Sequence, residues 1–210
     1  ELKESVYFGS VDSTSPKEYI FVVDFSTSMK NIMEERDEMR QNFAINEMLR
    51  IYDNDVRDMD RVSVVKFSSS MEIVFNLTEK SRYNKILRQS IEELKREVPD
   101  GRTALYSTLK IVLATIQNLK RPKILVVLVD GLDNCSKIRK SEIQVMIEQI
   151  SNLKVLILGI ELDTNALEEY HELLEEHSQG YVVDAADKDY INRIIKAKNY
   201  SKRHIETFIC

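Results

Sequence analysis

The chain has 210 residues, 43% of them hydrophobic, enough for one domain with a full core and too few for two comfortable ones. A net charge of −5 argues against a general binder of nucleic acid or membrane surfaces. No apolar run reaches membrane-spanning length and no signal-peptide pattern is present, so no direct membrane insertion is expected. The first residue is Glu rather than Met, which reads as a piece of a larger polypeptide. Two cysteines, Cys135 and Cys210, make no disulfide framework and favour a reducing compartment. The Asn-x-Ser/Thr sequons at Asn76, Asn134 and Asn199 are about what chance gives and carry little weight.

Residues 1–17 are polar and read as a linker or entry arm, with the domain over 18–198 and a tail or helix end over 199–210. Ile20 to Val23 form a continuous apolar run, the pattern of a central strand covered on both faces. That strand runs straight into Asp24, Ser26 and Ser28, one carboxylate and two hydroxyls at alternate positions that can turn to one spot in an extended loop. Taken alone, a Ser here equally suits the N-cap of a helix. A helix is expected over 29–52, with Ile32, Met33, Met39, Phe43, Ile45, Met48, Leu49 and Tyr52 on one stripe.

Residues 61–67 and 71–77 read as an edge hairpin across Ser68, Ser69 and Ser70. A helix over 81–97 is broken by Pro99, Asp100 and Gly101, and the next runs to Leu119 with Thr103 at its mouth. Residues 123–129 are the most apolar strand, ending in Asp130-Gly131. Helices at 141–152 and 165–177 alternate with strands at 154–160 and 181–183, and a final helix starts near Lys188. This alternation predicts an α/β fold: a doubly wound, mostly parallel six-stranded sheet with one antiparallel edge strand and helices on both faces. In such sheets, sites lie beyond the carboxyl ends of strands where the winding reverses, which is where Asp24 and Asp130 fall.

Asp24, Ser26, Ser28, Thr103 and Asp130 would thus bring five oxygen side chains from three loops to one rim. Hard oxygen donors suit Mg²⁺ or Mn²⁺, and the small number of carboxylates disfavours Ca²⁺. Here the sequence resembles the von Willebrand factor A family, whose metal-ion-dependent adhesion site is written D-x-S-x-S, then Thr, then Asp. The residues that carry it are Asp24-Phe25-Ser26-Thr27-Ser28, Gly101-Arg102-Thr103 and Val129-Asp130-Gly131. The resemblance implies that Ser26, Ser28 and Thr103 are hydroxyl ligands of Mg²⁺ (or Mn²⁺), with Asp24 and Asp130 acting directly or through water. It implies a Rossmann-like fold, a protein partner that contributes a Glu or Asp carboxylate, and a last helix able to slide when the metal gains a ligand. Arg102 replaces a frequent second Gly, and Val129 a frequent Thr; neither removes a ligand.

Arg102, Lys137, Arg139 and Lys140 fall near the same rim, where they either favour an acidic partner or form a solvated charge run. Asp133 suits a second layer behind the metal or an ordinary turn. His171, His177 and His204 lack zinc spacing, and the methionines are spaced as core residues. No nucleophile–base set, P-loop or G-x-G-x-x-G occurs, so a binding module rather than an enzyme is expected. The alternatives are a scaffold whose partner contacts ignore the metal and, more remotely, a metal-assisted hydrolase.

Overall fold

The computed structural model describes residues 15–184. Strand β1 (Glu18–Asp24) is buried along its whole length, as its unbroken apolar run requires. It pairs in parallel with β2 (Arg61–Phe67) on one side and β4 (Lys123–Val129) on the other. β5 (Leu153–Gly159) and β6 (Gly180–Asp184) continue the parallel sheet. β3 (Met71–Glu79) returns antiparallel to β2 after the Ser68–Ser70 turn and forms one edge. The order is β3-β2-β1-β4-β5-β6, so the winding direction reverses between β1 and β4. The sheet is therefore the six-stranded, doubly wound one expected from the alternation.

Alternate residues of β1 divide the core into two layers. Tyr19, Phe21 and Val23 pack with Phe43, Met48 and Tyr52 of α1 (Arg40–Asn54) and Leu87 and Ile91 of α2 (Lys80–Glu93). Ile20 and Val22 face Leu109 and Leu113 of α3 (Leu105–Ile116), Ile143 and Ile147 of α4 (Lys140–Gln149), and Tyr170 and Leu173 of α5 (Thr164–Leu174). A strand buried on both faces is the direct cause of this two-layer covering.

The first helix departs from expectation. Residues 29–39 do not continue it: a short 3-10 turn, Thr27–Lys30, is followed by a loop closed by a bridge between Ile32 and Met39, and α1 starts at Arg40. Glu34, Glu35, Arg36, Asp37 and Glu38 interrupt the apolar stripe for five positions, longer than one helical turn, and Ile32 is left exposed. The remaining elements differ from expectation only at their ends. The expected final helix, and with it Cys210 and His204, lies outside the described residues.

Opposite the carboxyl ends of the strands, the buried carboxylate of Asp60 accepts the backbone N–H of Lys17 at 2.8 Å and of Arg57 at 2.9 Å, and the Arg57 guanidinium at 3.0 Å. This knot fixes where the chain enters β1 and β2.

Candidate functional site

The loops that leave β1 and β4 at their carboxyl ends meet the loop that leads from α2 into α3, and the three are tied to one another by backbone hydrogen bonds. Asp100 N–H donates to the Phe25 carbonyl at 2.8 Å and Thr27 N–H to the Gly101 carbonyl at 3.0 Å, joining the Asp100–Thr103 loop to the loop after β1. Asn134 N–H donates to the Thr103 carbonyl at 3.0 Å, and Thr103 N–H returns to Asn134 Oδ1 at 3.0 Å, joining it to the loop after β4. Gly101 makes the turn at φ +93°, and a Cβ there would lie 2.8 Å from Ser69 Oγ. Only glycine meets both demands.

Asp24 is fully buried at the end of β1. Its Oδ1 accepts Ser26 N–H at 2.7 Å, whereas Oδ2 is buried with no hydrogen-bond partner. Ser26 and Ser28 hydroxyls lie 3.1 Å apart, and Ser28 Oγ donates to Asp130 Oδ1 at 2.8 Å. Ser26 occupies the N-cap position of the 3-10 turn, but its side chain makes no capping bond. Capping therefore does not explain the two serines. Thr103 is buried at the mouth of α3, positioned by its backbone; its hydroxyl is not part of the chain linking Ser26, Ser28 and Asp130.

Burial, and then the nearby Asp130 carboxylate, push the Asp24 carboxyl up to about 7, against the lowering effect of the hydrogen bonds from Ser26. A buried carboxylate with an orphaned oxygen beside a second carboxylate is an arrangement a cation relieves. Among the described residues no cluster of three or more His, Cys, Asp or Glu is placed to hold a metal. The donor set here is two carboxylates and neutral hydroxyls, all hard oxygen, which fits a small divalent ion such as Mg²⁺.

Two residues at this rim went unnoticed in the sequence. Arg40, the first residue of α1, places Nη1 3.1 Å from Asp130 Oδ2. Its Nε and Nη2 both lie 3.0 Å from Glu161 Oε2, and Glu161 Oε1 accepts Glu34 N–H at 2.6 Å. Glu161 has φ +54°, an uncommon backbone for a non-glycine residue, directly beyond β5. Arg40 and Asp130 are 90 positions apart, and no local pattern marks their pairing.

Of the basic residues expected near this rim, Lys140 and Arg102 are held by groups other than the candidate ligands. Lys140 bonds to Glu169 at 2.9 Å and to Glu172 at 2.5 Å, and the Arg102 guanidinium bonds to the Asn134 carbonyl. Asp133 behaves as a turn and capping residue. It accepts Tyr106 N–H at 2.7 Å and Ser136 N–H at 2.8 Å, while Ser136 Oγ accepts Ser107 N–H at 2.9 Å. The loop after β4 thus supplies the N-terminal cap that Ala104 cannot give α3. Tyr170 OH donates to the Gly131 carbonyl at 2.5 Å and pins the same loop. His177 is half-buried against the Leu153 carbonyl at 3.0 Å, a packing role.

The model of the von Willebrand factor type A domain matches residues 19–132, more than half of the chain. The chain belongs to the von Willebrand factor type A family. Domains of this family generally serve as interaction or adhesion modules and often sit in larger proteins. No curated protein sequence matches the chain. Among solved structures, the conserved hypothetical protein BatB from Bacteroides thetaiotaomicron is 15% identical with a TM-score of 0.62, covering 89% of this chain and 98% of its own. The PilB minor pilin from Streptococcus sanguinis is 14% identical with a TM-score of 0.60, covering 92% of this chain but 62% of its own. A von Willebrand factor type A protein from Catenulispora acidiphila is 18% identical with a TM-score of 0.61, covering 87% of this chain and 43% of its own. At these identities the likeness is one of fold. No helix among the described residues of this vWA domain is long and apolar enough to cross a membrane.

Proposed function

We propose that this vWA domain is a metal-dependent protein-binding module that holds Mg²⁺ or Mn²⁺ with Asp24, Ser26, Ser28, Thr103 and Asp130 and offers it to an acidic side chain of a partner protein. The observation that carries this reading is the orphaned, buried Oδ2 of Asp24 beside Asp130 and two serine hydroxyls that cap nothing. When bound, the ion supplies a Lewis-acidic position that a carboxylate can complete. Two carboxylates and neutral hydroxyls leave it short of negative charge, which favours an acidic ligand. Asp24 and the serines are held by backbone contacts from three loops, so the donors are ordered before any ion arrives. Nothing in this reading requires catalysis by the domain.

The test is calorimetric titration of the chelator-stripped protein with Mg²⁺. One saturable site is expected in the wild type, with affinity falling at least about a hundredfold in Asp130→Ala, which removes a charged ligand. Equal binding by the variant, or no binding by the wild type, contradicts the reading.

A second reading, a scaffold whose contacts ignore the metal, is favoured by one feature. An apolar cleft between the β3 edge and α3 is lined by Met71, Ile73, Leu77, Ile111 and Ile116, with Ile73 48% and Ile111 50% exposed. Partner binding through that cleft would survive a chelator.

A further inference from the structure

Asp130 is engaged from two sides. Ser28 Oγ donates to its Oδ1, and the Arg40 guanidinium sits on its Oδ2 at 3.1 Å. Arg40 is not a surface side chain that happens to reach the rim. Its side chain is 18% exposed, the Asp130 side chain is fully buried, and Glu161 grips the other edge of the same guanidinium through two nitrogens. Glu161 is itself held by Glu34 N–H and by its place directly beyond β5. A cation with a fixed position is thus built into the site, 3 Å from a carboxylate that the proposed metal also needs.

We propose that Arg40, clamped by Glu161, is a resident counter-charge of the metal site that competes with the divalent ion for Asp130. This rests on the metal-binding reading given above and specifies how the site is regulated. The guanidinium withdraws Asp130 Oδ2 from coordination and adds positive potential where the ion would sit, so it weakens retention of the ion alone. The same positive potential favours an incoming anionic side chain. Metal held loosely without a partner and firmly with an acidic one is the consequence. Glu161 sets the balance, because its charge offsets part of the guanidinium's field. A merely structural Arg40 would make every substitution at either position equally harmful.

The charges make opposite predictions for the two partners, which a structural role does not. In the 210-residue chain, stripped of metal and titrated with Mg²⁺ by calorimetry, Arg40→Gln is expected to bind at least about tenfold tighter than wild type. Arg40→Lys, which keeps the charge, stays within about threefold of wild type, and Glu161→Gln binds at least about threefold weaker. Melting curves of the metal-free variants confirm that each is folded. If Arg40→Gln does not fold, Arg40→Met, which also removes the charge, takes its place with the same expected and contrary results, and equal or tighter binding by Glu161→Gln overturns the proposal in either case. Wild-type or weaker affinity in a folded Arg40→Gln overturns the proposal while leaving the metal site standing. Mg²⁺ binding by Arg40→Gln but not by wild type supports it. Failure of both to bind Mg²⁺ at tens of millimolar removes the metal reading and this inference with it.

Discussion

Asp24→Asn is expected to make the metal-free domain more stable at pH 8 and to abolish its stabilisation by Mg²⁺. In the wild type, Asp24 is buried with Oδ2 unpartnered, and its carboxyl is raised from 3.8 to about 7. A carboxyl raised in the native state stabilises that state when protonated, and this contribution is lost as pH climbs from the unfolded value through the native one. At pH 8 the wild type therefore carries the full cost of a buried charge, of the order of 4 kcal/mol for roughly three units at about 1.4 kcal/mol each. The Asn side chain carries none of that cost and can still accept Ser26 N–H through its Oδ1. At pH 4, where the wild-type group is mostly protonated, the two proteins should melt close together. Added Mg²⁺ should raise the melting temperature of the wild type at pH 8 and leave the variant unmoved, since a neutral amide is a far poorer ligand than a carboxylate. A variant that melts lower than wild type at pH 8, or that still gains from Mg²⁺, would contradict this account.

Asp60→Ala should do the reverse. Its carboxylate is buried at the far pole and receives the Lys17 N–H, the Arg57 N–H and the Arg57 guanidinium. Removing it takes the acceptor from the Lys17 and Arg57 N–H groups and the Asp60 counter-charge from the Arg57 guanidinium, which keeps the Ser15 carbonyl, a loss of about 3–5 kcal/mol. The sheet separates this knot from the metal rim, lying at the opposite ends of β1 and β2. Below its lowered melting temperature the variant should therefore bind Mg²⁺ as the wild type does. Urea unfolding measures the first effect and calorimetry the second. A loss below about 1 kcal/mol, or a change in Mg²⁺ affinity in the folded variant, would count against the separation of the two poles. Together the variants part stability from metal binding: one gains stability and loses metal, the other loses stability and keeps it.

The doubly wound, mostly parallel sheet was legible because burial on both faces writes long apolar runs at 20–23 and 124–129 and helices alternate with the strands; the order of the strands came only with the structure. Four of the five candidate ligands are joined in the structure by contacts within or between two loops, and Thr103 is set beside them through Asn134. The start of α1 was not legible. Met33 and Met39 look like members of one stripe, but the five charged residues between them prevent a continuous buried face. Arg40 and Glu161 were invisible for a different reason. Their partners are distant in sequence, and an Arg after a run of charges reads as a solvent-facing residue until the fold brings Asp130 to it. The capping role of Asp133 is similarly tertiary, since the helix it caps begins 28 residues earlier, at Leu105.

The most direct test of the central claim is anomalous diffraction from crystals of the domain grown with Mn²⁺. A single strong peak is predicted within about 2 Å of the Ser26 and Ser28 hydroxyl oxygens, beside Asp24 and Asp130 and opposite the Arg40 guanidinium. No peak at this rim in crystals soaked at tens of millimolar Mn²⁺, or a peak only elsewhere on the molecule, would contradict it.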